Sequence, residues 1–155
     1  MQFINTALKS TRLKCLTAAT LCTLLAAPLV AQAHTASRGS INSETLLETE
    51  RSWDGTLYQP YPEGTPQLSV LKITIEPNTT MDWHQHRVPN AAYVQSGVLT
   101  VENKTTGEKR TLKAGEVLPE MVNSTHRGIT GDEGATLIVF YAGKKGIPLS
   151  VPAPE

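Results

Sequence analysis

Four histidines occur in the chain, and three of them could share one task. His84 and His86 stand one residue apart in Trp83-His84-Gln85-His86, and His126 follows forty residues later. On a β-strand, side chains two apart point to the same face. A His-x-His pair therefore aims two imidazoles the same way, and a third imidazole on a neighbouring strand can meet them. Three neutral imidazoles converging on one point make a first shell for one divalent transition metal, Fe, Zn, Ni, Mn or Cu. Glu120 lies six residues before His126. It is a candidate partner for an imidazole N–H or a candidate catalytic base. Asn90 and Tyr93 follow the histidine pair and are candidates for touching a substrate or, for the amide oxygen, for weak ligation.

The elements that must position these groups read as strands. Leu68 to Ile75 alternates apolar and polar residues and is rich in β-branched ones. Glu76-Pro77-Asn78 is a turn, and Met81 to His86 resumes an extended pattern. Ala91 to Gln95 and Val98 to Glu102 read as two strands joined at Ser96-Gly97. Asn103 to Gly107 reads as a hairpin loop. Glu108–Leu112, Glu116–Met121, Thr125–Gly128 and Ala135–Tyr141 complete the set, with a turn at Gly131-Asp132-Glu133-Gly134. Short strands at this spacing, with glycine-rich turns between them, indicate an all-β sandwich or barrel. A short helix starting at Ser43 is expected from its capping residue and the acidic residues that follow.

The segment 1–33 is expected to lie outside the folded domain. Lys9, Arg12 and Lys14 form a basic region, Leu16 to Val30 is apolar, and Ala31-Gln32-Ala33 is a small-residue cleavage pattern. The apolar run is shorter than the ~20 residues of a membrane span and is interrupted by Pro28, so no stable span is expected. An exported protein, periplasmic or secreted, with its mature end at His34 is the expectation. Both cysteines, Cys15 and Cys22, would leave with that segment, and the mature chain would hold no thiol. Losing Lys9, Arg12 and Lys14 from 14 basic residues leaves 11 against 14 acidic ones, a net charge of −3. That balance argues against a nucleic-acid partner. Residues 34–66 read as an extension of loops, 67–143 as the barrel, and 144–155, rich in proline, as an extended tail.

With these residues in place the chain resembles the cupin superfamily. The first cupin motif runs G, five residues, H-x-H, three or four residues, E, six residues, G. His84, His86 and Gly97 match it, Asn78 stands at the first glycine, and Asn90 stands at the glutamate. The second motif runs G, five residues, P-x-G, two residues, H, three residues, N. Gly115 and His126 match it, while Met121, Asn123 and Thr130 stand at P, G and N. More narrowly, Val88 to Val94 and Leu118 to Asn123 resemble a group of small exported bacterial cupins. The resemblance implies a jelly-roll β-barrel, a metal in one mouth held by His84, His86 and His126, and a small-molecule ligand or substrate. It also implies pairing into a homodimer. With Asn90 at the glutamate position, the site is similar to that of three-histidine cupins, which include iron-dependent dioxygenases. The reading is a metal-dependent, iron-type oxygenase; the alternative is a non-enzymatic metal- or small-ligand-binding barrel. The fold alone does not choose between them.

Overall fold

In the computed structural model, residues 39–154 are described. The segment read as a signal peptide, with its cleavage site and His34, lies outside them. The described chain contains strands β1 (Pro66–Ile75), β2 (His84–Gln85), β3 (Asn90–Asn103), β4 (Lys109–Lys113), β5 (Val117–Pro119), β6 (His126–Lys144) and β7 (Val151–Pro152). All named strand pairs are antiparallel, and they form one seven-stranded sheet. No helix occurs among the described residues. The helix expected at Ser43 is not formed, and residues 42–49 are exposed. A single turn is too short to hold itself together without packing, and its Leu46 and Leu47 stay exposed.

β1 alternates as its sequence requires. Leu71, Ile73 and Ile75 turn toward the core, while Leu68, Val70, Lys72 and Thr74 face out. β1 pairs along its whole length with the second half of β6, from Pro66 opposite Lys144 to Ile75 opposite Ala135. β3 lies on the other side of that half, so β6 is the central strand of the wall. The core is filled by Val88, Ala92, Val94, Leu99, Val101, Leu112, Leu118, Met121, Leu137 and Val139, each almost without exposure.

The two expected strands on either side of Ser96-Gly97 are one strand. Along β3, Asn90, Ala92 and Val94 face inward, but beyond Gly97 the inward residues are Leu99, Val101 and Asn103. The alternation changes parity at the bulge between Val94 and Leu99. β6 changes parity at the same level, from His126, Gly128 and Thr130 to Ala135, Leu137, Val139 and Tyr141. The stretch expected as a turn, Gly131 to Gly134, is the matching irregularity inside β6. Gly97 has φ 77°, and a Cβ there would stand 2.1 Å from the Gly134 carbonyl oxygen. Only glycine lets the two strands bend against each other so closely.

Two asparagines stand at glycine positions of the cupin motifs, and both adopt the left-handed conformation. Asn78 has φ 54° and Asn123 has φ 56°, and they are the only non-glycine residues with positive φ among the described residues. Asparagine tolerates this region better than other side chains. The motif's turns are thus kept although its glycines are not. Thr130, at the motif's asparagine position, accepts from the Thr79 N–H and donates to the Glu76 carbonyl, tying down the turn before β2.

The segment 144–155, set apart as a tail in the sequence, supplies β7. Val151 and Pro152 pair with Gln85 and His84, and the Ala153 N–H donates to the Trp83 carbonyl. The extension before the barrel also docks: Trp53 is buried, and its backbone N–H donates to the Pro119 carbonyl.

Candidate metal centre

His84 sits on β2, His126 opens β6, and the two residues are direct cross-strand partners. His86 follows β2 and is bridged to Val122. The three ring centroids are 4.6 to 5.2 Å apart. One ligand atom from each ring lies within 4.8 Å of the other two, and no other group of three or more His, Cys, Asp or Glu among the described residues converges in this way. The three histidines are therefore brought together as their spacing predicts.

The ring tautomers follow from backbone contacts. His84 Nδ1 lies 2.8 Å from the Asp82 carbonyl, His86 Nδ1 2.8 Å from the Leu149 carbonyl, and His126 Nδ1 3.0 Å from the Ser124 carbonyl. A carbonyl oxygen only accepts, so each Nδ1 carries the proton. Each neutral ring then keeps its lone pair on Nε2. His126 Nε2 is buried and has no hydrogen-bond partner. Three fixed imidazoles with spare Nε2 lone pairs, one of them orphaned, fit a divalent transition metal.

Electrostatics favour the neutral form in two of the three rings. Burial, only partly offset by nearby oxygens, holds the His84 and His86 rings below their ordinary value of 6.5. Burial acts on His126 in the same sense, but the Glu120 carboxylate outweighs it and raises that ring. Glu120 Oε2 stands 3.3 Å from His126 Nε2. Burial opposes its ionisation, yet contact with His126 and the nearby His86 and His84 hold the carboxyl below its ordinary value. At 3.3 Å the two atoms are within ion-pairing distance but farther apart than a charge-assisted hydrogen bond, and neither has a hydrogen-bond partner. The Glu120 backbone is held on both sides: its N–H donates to the Asn90 carbonyl, and the Tyr58 hydroxyl donates to its carbonyl.

The histidines open into a cavity of about 530 Å³. Its walls are largely apolar, with Ile73, Met81, Leu99, Val101, Leu137 and Val139, and no Lys or Arg lines it. Trp83 and the β7 residues Val151 and Pro152 form part of the rim. Arg127 stacks on Trp83 at 4.2 Å and pairs with Glu102, while Arg87 bonds Asn123; both point away from the cavity, as their alternation with the histidines requires.

Two candidate residues are placed elsewhere. Tyr93 lies between the fully buried Ala92 and Val94, so it faces the opposite side of β3 and does not line the histidine cavity. Asn90 faces inward but does not line that cavity either; its Nδ2 donates to the Val88 carbonyl at 3.1 Å. It lines a second groove, between the 47–61 segment and β3 and β6. The tyrosine that does reach the site is Tyr141, whose ring lies 5.7 Å from that of His86. Its place was readable: Leu137, Val139 and Tyr141 share one parity in a buried strand. The Leu149 carbonyl and β7 had no signal in the sequence, because backbone groups carry none.

No family model and no curated protein matches the chain. Solved structures do. The chain is similar to the DMSP lyase DddQ from Ruegeria pomeroyi DSS-3, at 18% identity and a TM-score of 0.50, over 57% of this chain and 45% of that one. It is similar to the polyketide cyclase RemF from Streptomyces resistomycificus, at 17% identity and a TM-score of 0.50, over 59% and 64%. A cupin-like protein from Thermotoga maritima matches at 17% identity and a TM-score of 0.48, over 57% and 65%. The chain spans less than two thirds of the length of each. At these identities the likeness is one of fold alone. The all-β chain thus carries the cupin jelly-roll fold that its histidine motifs resemble.

Proposed function

We propose that the chain is a metal-dependent cupin enzyme acting on a small, largely apolar molecule, with iron-type oxygenation as its reaction class. One observation carries the reading: three imidazoles with their Nδ1 protons committed to carbonyls present Nε2 lone pairs at the head of an apolar cavity. His84, His86 and His126 would hold the ion, which when bound supplies Lewis acidity and a template for an anionic or enolate-like oxygen. The chain's own residues do the rest. Burial, and secondarily the charge of Glu120, push the Tyr141 hydroxyl up to about 12, so it keeps its proton at neutral pH and can donate to a substrate oxygen. Ile73, Leu99, Leu137 and Val139 exclude water and take the apolar body of the ligand.

The test is oxygen uptake by iron-loaded protein against a panel of diketones, thiols and phenols. Uptake with at least one compound is expected. No uptake with any of them, alongside tight metal retention, favours the second reading, a non-enzymatic metal- or small-ligand-binding barrel. That alternative draws on the lack of any thiol beyond Cys22 and of an evident acid–base pair apart from the histidine cluster.

The proposed setting is export with cleavage near Ala33, checked by the intact mass of exported protein beginning at His34. The proposed assembly is a homodimer. Val70 and Phe140 are cross-strand partners, and with Leu68 they leave an exposed apolar strip on the outer face of β1 and β6. A monomer in light scattering at micromolar concentration would count against it.

A further inference from the structure

The three-histidine set leaves two buried oxygen acceptors without a partner, Asn90 Oδ1 and Glu120 Oε2, and of these the Glu120 oxygen stands against a histidine of the set. Glu120 Oε2 and His126 Nε2 are both inaccessible and both without a hydrogen-bond partner, although they stand 3.3 Å apart. With the neutral ring's proton committed at Nδ1, two lone-pair atoms face each other. Such a contact asks for a cation beside both. A proton shared between them would draw the pair to the ~2.7–2.9 Å of a charge-assisted hydrogen bond, and the observed contact is longer. A metal bonded to each at ~2.0–2.2 Å would separate neighbouring N and O donors by roughly 3.0–3.4 Å, from octahedral to tetrahedral angles. The observed 3.3 Å falls in that interval.

We propose that Glu120 is itself a ligand, supplying the one carboxylate of a three-nitrogen, one-oxygen metal set. This rests on the metal-binding reading above. The carboxylate then reaches the ion from the segment between β5 and β6, not from the segment after His86, where Asn90 stands. Asn90 donates only its Nδ2 to Val88, and its side chain lines a different groove from the one the histidines open into. Glu120 flanks the cluster on its His126 side, outside the group that the three imidazoles form within 4.8 Å, so ligation requires its side chain to turn toward the other two rings. Its backbone, pinned by Asn90 and Tyr58 and flanked by buried Pro119 and Met121, leaves the side chain as the moving part. The chemical consequence is charge. A divalent ion on three imidazoles carries +2, and the added carboxylate lowers the site to +1. In a cavity without Lys or Arg, that selects neutral or singly anionic ligands over dianions.

The experiment loads metal-free wild type, Glu120→Gln and Tyr93→Phe with Co(II) and with Cu(II). Affinity is read by competition with a chelator, Co(II) geometry by its visible absorption, and Cu(II) ligation by electron paramagnetic resonance. Glu120→Gln is expected to bind Co(II) more than the 10–100-fold weaker typical of losing an outer-shell partner, with altered Co(II) and Cu(II) spectra. Tyr93→Phe, on the outer face, should match wild type. Glu120→Gln spectra that superimpose on those of wild type overturn the assignment and leave the three-histidine reading standing. Wild type that takes up neither ion overturns both. Metal-minus-apo infrared difference spectra of wild type give a readout free of any folding defect in the variant: one carboxylate band pair should shift on loading, and no shift overturns the assignment.

Discussion

Replacing Gly97 by alanine tests the corner on which the site depends. β3 and β6 both switch parity at this level, and that bend carries Asn103 and His126 opposite each other at the histidine end. The added methyl meets two costs. At φ 77° a side chain is disfavoured by roughly 1–2 kcal/mol. Its Cβ would also stand 2.1 Å from the Gly134 oxygen and 3.0 Å from the Ala135 Cα, both backbone atoms in a paired strand. Relieving that contact strains the backbone by a further ~1–3 kcal/mol. Gly107→Ala is the control: φ is 72°, but nothing lies within 4 Å of its Cβ, so only the first cost applies. Urea unfolding monitored by circular dichroism should place Gly97→Ala about 1–3 kcal/mol below Gly107→Ala, a sizeable part of a typical 5–15 kcal/mol stability. Equal stabilities for the two variants would refute the corner argument.

Acid should destabilise the metal-free protein through His84 and His86. Their folded values lie below 6.5, so the unfolded chain binds protons first; their contribution is full above that value and fades as pH falls below it. His126, raised by Glu120, has the opposite sign: its contribution is present below 6.5 and lost as pH rises through the raised value. Replacing His126 by glutamine removes the opposing ring, so metal-free His126→Gln should melt at a lower midpoint at pH 5.5 than at pH 7, and a higher midpoint at pH 5.5 would contradict the burial argument. A chain ending at Lys144 loses the Leu149 carbonyl that orients His86, along with β7. It should bind Co(II) about 10–100-fold more weakly in chelator competition, and unchanged affinity would remove β7 from the site.

The histidine set was legible because it depends on spacing: i and i+2 on a strand share a face, and His126 needed only a neighbouring strand. Gly97 was legible as a glycine but not as a bulge. The pattern shows two short alternations of opposite parity, and a turn and a bulge look alike when only side chains are read. The same ambiguity split β6 at Gly131–Gly134. Tyr93 stands outside the histidine cavity for a local reason, since Ala92 and Val94 take the inward parity. β7 was hidden because two residues of strand, one a proline, carry no periodicity, and its role is played by main-chain atoms. The expected helix at Ser43 failed because a cap and two acids do not replace packing, and Leu46 and Leu47 find nothing to bury against.

The central claim is that His84, His86 and His126 hold one metal ion. Elemental analysis of protein purified without an affinity tag addresses it directly, on wild type and on His84→Ala, His86→Ala, His126→Ala and Asn90→Ala. The account predicts one divalent transition metal per chain in wild type and Asn90→Ala, and its loss from each histidine variant. The same metal content in wild type and the histidine variants, or none in wild type under any loading condition, would contradict it. So would an Asn90→Ala protein as empty as the histidine variants.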